Sequence, residues 1–159
     1  MSESISVDFF GNLNTHYELW SEFLQEIRKD HVKVHIISGP WEDELFKRLE
    51  QNKYYRDVHY DYTHSILSHL RSRGMDTFYD EGYDSWYSQE GPWWESKAII
   101  CQQQKIKIHF DSERKFEPAF KLIPTRFIYV NYFVRQHIKS LTKMMELDTG
   151  DGIEEQDFM

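Results

Sequence analysis

The chain opens with a short apolar run, Ile5 to Phe9, closed by Gly11 and Asn12, which reads as a buried strand entering a turn. Thr15 with Glu18 three residues later is a capping-box signal. Tyr17, Trp20, Phe23, Leu24 and Ile27 then recur at helical spacing as far as Lys29. Val32 to Ile37 is a second apolar run, ended by Ser38-Gly39-Pro40. Glu42 to Gln51 predicts a short helix that turns Leu45, Phe46 and Leu49 inward. Asp57 to Tyr60 is a third candidate strand, and Tyr62 to Arg73 a helix with Ile66, Leu67 and Leu70 on one face. Gly74 stands where a C-cap glycine belongs. Glu95 to Gln104 predicts another helix; Ile106 to Phe110 and Phe127 to Val130 predict two more strands. Alternating strands and helices argue an α/β fold, a Rossmann-like parallel sheet of about five strands covered by helices. No internal repeat or second domain interrupts it.

The stretch Met75 to Trp94 has no period. It holds Asp76, Asp80, Glu81, Asp84 and Glu90 beside Phe78, Tyr79, Tyr83, Trp86, Tyr87, Trp93 and Trp94. So long a connection is expected to be a lid over a site, with the tryptophans close enough to touch a ligand.

Composition changes this picture in three ways. At 159 residues the chain fits one domain with a real core, expected over residues 1–143. Six of the 27 acids lie from Met144 onward, with no Lys or Arg among them. Most of the net charge of −8 therefore sits in a tail, residues 144–159, whose composition predicts disorder. The nearly balanced body offers no electrostatic footprint for duplex nucleic acid. Finally, the single cysteine, Cys101, leaves no internal disulfide and fits a reducing compartment. No leader and no apolar run near a membrane span's ~20 residues is present, so a soluble cytoplasmic protein is expected, with no membrane partner.

Candidate chemistry lies at the strand ends. In an open parallel sheet, ligands sit beyond the carboxyl ends of the strands. Asp8, Ser38 and Asp111 each close a predicted strand, and Lys97 lies in the first turn of a helix leading back to the sheet. Taken singly, each has a plainer reading. Asp8 could form a turn, Ser38-Gly39-Pro40 an ordinary loop, and Asp111-Ser112 an N-cap. Their order and contexts together argue convergence at one rim. His35 and His109 alternate with apolar strand residues and read as packed or surface groups. His59, His64 and His69 lack zinc-ligand spacing. Cys101 reads as core.

These residues resemble the haloacid dehalogenase-like (HAD) hydrolase superfamily over roughly residues 4–130. Val7-Asp8-Phe9-Phe10-Gly11-Asn12-Leu13 is similar to its first motif, and Ile36-Ile37-Ser38-Gly39 to its second. Lys97, in Trp93-Trp94-Glu95-Ser96-Lys97-Ala98, resembles the third motif; Ile108-His109-Phe110-Asp111-Ser112 resembles the fourth. The Trp-Trp-x-Ser-Lys-Ala arrangement also resembles small phage-type members. The resemblance implies a fold without a large cap domain. It implies that Asp8 is the nucleophile of an aspartyl-phosphate. It implies Mg²⁺ held by Asp8, the Phe10 carbonyl, Asp111 and waters. Ser38 and Gly39 would bind the phosphoryl group, Lys97 would supply charge, and Trp86 and Trp94 would touch a small phosphorylated substrate.

Two departures matter. Phosphatases of the superfamily keep an Asp two residues after the nucleophile, as acid and base; here the residue is Phe10. Ser112 replaces the second acid of the fourth motif, with Glu113 beside it. Three functions stay open: a phosphohydrolase with weak turnover, restricted to activated substrates such as acyl phosphates or phosphoanhydrides; a degenerate HAD-fold protein that binds a protein partner; and a metal-free dehalogenase. Dehalogenases carry an aromatic residue at the Phe10 position, but no arginine stands near the first motif in sequence to hold a halide.

Overall fold

The computed structural model describes residues 3–131. The acidic tail predicted over 144–159, and residues 132–143 of the expected domain, lie outside the described residues. Strands β1 (Ser4–Val7), β2 (Lys33–Ser38), β3 (Tyr62–Ser65), β6 (Ile108–Asp111) and β7 (Arg126–Tyr129) form one parallel sheet in the order β3-β2-β1-β6-β7. Between β3 and β6, strands β4 (Phe78–Asp80) and β5 (Ser85–Tyr87) make a separate antiparallel hairpin. This is a Rossmann-like α/β arrangement with β1 at its centre.

Side chains alternate across a strand, so each strand serves two layers. Ile5, Val7, Val34, Ile36, Ile108 and Phe110 share one cluster with helices α1 (Tyr17–Lys29) and α2 (Glu42–Gln51). Trp20 of α1 is fully buried there, edge-on to Phe23 and Phe110. The opposite face carries Ile37 with α3 (Ile66–Ser72), α4 (Glu90–Gln103) and the 3₁₀ segment Arg114–Leu122. By the same parity Ser6, Asp8, His109 and Asp111 belong to this second face. Its sheet side is therefore polar at the centre while its helices are apolar.

Several predicted elements are corrected. The third strand is Tyr62–Ser65, inside the predicted helix, and Asp57 to Tyr60 is a turn. Arg28 donates to the carbonyls of Asp57 (2.6 Å) and Val58 (3.1 Å), and Asp57 has φ 67°, which no strand tolerates. Helix α3 starts only at Ile66, where the Ser65 hydroxyl caps it by accepting from the Ser68 amide at 3.0 Å. Gly74 follows it at φ 84°, as its C-cap role requires. Thr15 caps nothing: its hydroxyl donates to Asn12 O, and α1 begins after His16. Phe46 is exposed rather than inward. Helix α4 starts at Glu90, because Pro92 falls in the first turn, where proline is tolerated.

The segment predicted as a lid is the β4–β5 hairpin plus the start of α4. Phe78 pairs with Tyr87 and Tyr79 with Trp86 across it. Both faces of the hairpin are aromatic, so no apolar–polar period could appear in the sequence. Among the described residues, no helix is long and apolar enough to cross a membrane.

Candidate active site

Strands β1 and β6 are neighbours, and they end in Asp8 and Asp111 on the face that α4 covers. Lys97, midway along α4 rather than in its first turn, reaches between them. Its Nζ lies 2.6 Å from Asp111 Oδ2 and 3.2 Å from Asp8 Oδ1, with the Phe116 ring centroid at 4.1 Å. All three charged groups are buried. Four residues from separate segments thus meet at the carboxyl edge, because Ser38 ends β2 beside them and lines the same cavity.

Asp111 is held from three sides. Its Oδ2 also accepts from His109 Nε2 at 2.8 Å, and its Oδ1 from the Glu113 amide at 2.9 Å. A carboxylate can only accept, so His109 carries its proton on Nε2, and Nδ1 accepts from Ser6 Oγ at 2.7 Å. Ser6 Oγ in turn lies 3.5 Å from Cys101 Sγ. His109 stacks on Phe120, 5.3 Å between centroids and 5° from parallel. It is a packed group, fully buried, and it orients the acid two residues on.

The charges divide unevenly. Burial works to raise the Asp111 carboxyl, but Lys97 and His109 outweigh it and hold the group well below the usual carboxylate range. Burial works to lower the Lys97 ammonium, yet Asp111 and Asp8 keep it above its ordinary value. His109 is kept neutral, because burial outweighs the pull of Asp111. Asp8 is the loser. Burial pushes its carboxyl from 3.8 up to about 7, against the help of Lys97 and with the further push of Asp111.

That shift has a measurable sign. Between its unfolded and folded values, Asp8 holds a proton in the folded protein that the unfolded chain has released. Stability should therefore fall as pH rises through that window, by about 1.4 kcal/mol per unit at most. Asp8→Asn removes the term. In chelator-treated protein it is expected to raise the unfolding free energy by roughly 2–4 kcal/mol at about pH 8 and by nothing at about pH 4. Urea melts at the two pH values check this; an equal effect at both would contradict it.

The turn after Asp8, Phe9–Leu13, is broken at Phe10 (φ −74°, ψ 132°) and Gly11 (φ 79°). Gly11 is needed twice over. Its φ is left-handed, and a Cβ there would run into Ser112 Oγ. Ser112 donates to the Phe10 carbonyl at 2.9 Å, so it ties the turn to the end of β6 rather than supplying a carboxylate. Glu113 does not replace the missing acid cleanly, since its carboxylate accepts from Lys115 N to cap the 3₁₀ segment.

A cavity of about 370 Å³ opens over these groups, with Asp8, Ser38, Gly39 and Lys97 in its lining. The buried Ser38 hydroxyl stands beside Asp8 and helps hold its proton off, yet makes no full hydrogen bond. Trp86 and Trp94 line the cavity as well, Trp86 edge-on to Trp41 and Trp94 against Phe116. Trp93, expected with the other tryptophans near a ligand, is there, and one lining residue, Arg48, escaped the sequence reading of the site. Trp93 lies on Gly39, whose Cβ would come within 3.1 Å of its ring. Arg48 of α2 reaches back until its guanidinium is 5.4 Å from the Phe10 ring centroid. The absence of an arginine near the first motif is thus true of the sequence and not of the space. The Glu44–Arg48 pair, one helical turn apart just after the Ser38 loop, was the available signal.

Among the described residues, no group of three or more His, Cys, Asp and Glu side chains is placed to hold a metal ion. A cation here would depend on main-chain oxygen too. The Asp8 carboxyl, the Phe10 carbonyl and Asp111 Oδ1 are hard oxygens at the ends of the adjacent strands β1 and β6 and the turn after β1. That donor set fits a small hard cation that keeps several waters. Compared with known proteins, the chain matches no family model, no curated protein and no solved structure.

Proposed function

We propose that this chain is a small, phage-type haloacid dehalogenase-like hydrolase of the cytoplasm, without a large cap domain, that acts on a small phosphorylated substrate through an aspartyl-phosphate on Asp8. One observation carries the reading: Asp8 and Asp111, at the ends of adjacent central strands, share the Lys97 ammonium at the floor of a cavity that Ser38 and Gly39 also line. A catalytic carboxylate needs an oriented cation beside it and an anion site in front of it. Both are present.

In this reading Asp8 attacks phosphorus. The Ser38 hydroxyl and the Gly39 amide, just before the N-terminus of α2, donate to phosphoryl oxygens. Lys97 offsets the charge that builds up between nucleophile and phosphate. Mg²⁺, bound through Asp8, the Phe10 carbonyl, Asp111 and water, would supply further neutralisation of the phosphoryl oxygens. Phe10 can neither protonate a leaving group nor activate water. That assistance is typically worth 10²–10⁴-fold, so turnover is slow and confined to activated phosphates.

The test is covalent. Incubation with acetyl phosphate and Mg²⁺, followed by acid quench, is expected to leave a hydroxylamine-sensitive phosphoryl group on the wild-type protein and none on Asp8→Asn. An unlabelled wild-type protein would overturn the reading in favour of a binding protein for a protein partner, which Phe10 and Ser112 already favour. Arg48 beside Phe10 is the observation that favours a dehalogenase, and metal-independent halide release from a 2-haloacid would select it.

A further inference from the structure

We propose that the substrate carries its phosphoryl group on an aromatic oxygen: an aryl phosphate whose ring lies against Trp93 beside the Ser38-Gly39 loop. This rests on the aspartyl-phosphate reading above and narrows it.

Two independent features converge on that class. The first is the wall of the cavity. Trp93 lies so close on Gly39 that any side chain there would meet its ring. The edge of an aromatic ring is thereby fixed next to the amide that would hold a phosphoryl oxygen. Trp86, Tyr87 and Phe116 also line the cavity. Planar π-faces favour a planar ligand by offset or edge contact. The second feature is the missing acid at Phe10. A leaving oxygen that receives no proton must depart as an anion. A phenol, with a pKa near 10, does so far more readily than an aliphatic alcohol, whose acidity is close to that of water at about 15.7.

Each competitor fits these features less well. Acetyl phosphate and inorganic pyrophosphate have good leaving groups but give the aromatic wall nothing to bind. A nucleoside di- or triphosphate has both a good leaving group and a planar base, but its base lies a ribose and a phosphate away from the leaving oxygen, far from the ring that Trp93 sets against Gly39. A nucleoside 5′-phosphate has a planar base, but its leaving oxygen is aliphatic and needs the acid this chain lacks. An aryl phosphate uses both.

The steps balance without another reactant. An Asp8 carboxylate oxygen bonds to phosphorus while the phosphorus–aryl oxygen bond breaks, its electron pair leaving on a phenolate that takes a proton from solvent. Water then attacks phosphorus, the bond to Asp8 breaks, and inorganic phosphate and the carboxylate return. Phe10 gives that water no base. The second step is the slower, and the phosphorylated protein accumulates as a burst of phenol.

The experiment compares three probes on wild-type protein with Mg²⁺: phenyl phosphate, benzyl phosphate (ring present, aliphatic leaving oxygen) and acetyl phosphate (good leaving group, no ring). Phenyl phosphate is expected to exceed benzyl phosphate at least about 100-fold in kcat/KM. Phenylphosphonate is expected to inhibit acetyl phosphate hydrolysis about tenfold more tightly than methylphosphonate. Trp93→Leu should lower the phenyl-to-acetyl ratio of kcat/KM about tenfold, and the phosphonate comparison stands even if that variant fails to fold. Equal phosphonate affinities, with acetyl phosphate still hydrolysed, would overturn the aryl assignment and leave the phosphohydrolase intact. No phosphoryl group on Asp8 from any probe would overturn both. Free O-phosphotyrosine and a phosphotyrosyl peptide, run as further arms, show whether the aryl group comes from a small molecule or from a protein.

Discussion

Replacing Lys97 with methionine is expected to lower the unfolding free energy by about 3–5 kcal/mol at neutral pH and to abolish phosphorylation of Asp8. Methionine keeps an apolar stem and removes the ammonium, together with its place over the Phe116 ring. What remains is a buried Asp111 that still accepts from His109 and Glu113 but has lost its counter-charge. Two buried carboxyls then face each other, and one must take a proton. The loss should shrink toward about pH 4, where the unfolded carboxylates also protonate. Asp111 is the depressed group here, so the stability it shares with Lys97 is present above its unfolded value and fades as pH falls. Adding Asp8→Asn to the variant should recover part of the loss at neutral pH. Denaturant melts of the single and double variants at both pH values check the expectation, and an unchanged single variant would refute it.

Phe10→Asp is expected to raise turnover of aryl phosphates by about 10²–10⁴-fold, through faster hydrolysis of the aspartyl-phosphate. The site tolerates it. Phe10 is 38% exposed and touches Phe9 edge-on, so little core is lost. Arg48, now over the Phe10 ring, would stand beside the new carboxylate and favour its ionised form. The base role therefore gains before the acid role. Hydrolysis of the aspartyl-phosphate should accelerate first, and the burst of phenol should disappear from pre-steady-state traces. Turnover that stays at the wild-type level, with Asp8 still phosphorylated, would mean that another group already handles the proton.

The parts of the molecule that sequence revealed are those where one physical signal acts alone. Strands buried on both faces read as continuous apolar runs, and the sheet-edge rule then brought Asp8, Ser38, Lys97 and Asp111 to one rim. Signals failed where two competed. Tyr62-Thr63-His64-Ser65 suits a strand, but the helical pattern of Ile66, Leu67 and Leu70 runs straight on from it and masked the junction. The sequence predicts helix α4 only from Glu95, although it starts at Glu90 with Pro92 in its first turn. The hairpin was hidden because aromatic residues occupy both its faces. The bond from Ser6 to His109 needed the register of β1 on β6, which pairs those two residues across the ladder. No single segment contains that information. Arg48 likewise enters the cavity from an element whose placement is tertiary.

The unequal sharing of Lys97 says which of these side chains drift could erase. A lineage that gave up catalysis would find Lys97, Asp111 and His109 hard to lose, because the middle layer of the protein is built on their mutual satisfaction. Position 10, half in solvent, could change freely. Asp8 is different from both. Its carboxyl is held where it weakens the folded state at neutral pH, and an asparagine would serve the architecture better. For folding alone an asparagine would do better there, so a carboxyl at position 8 is accounted for by chemistry under the proposed reading and not by packing.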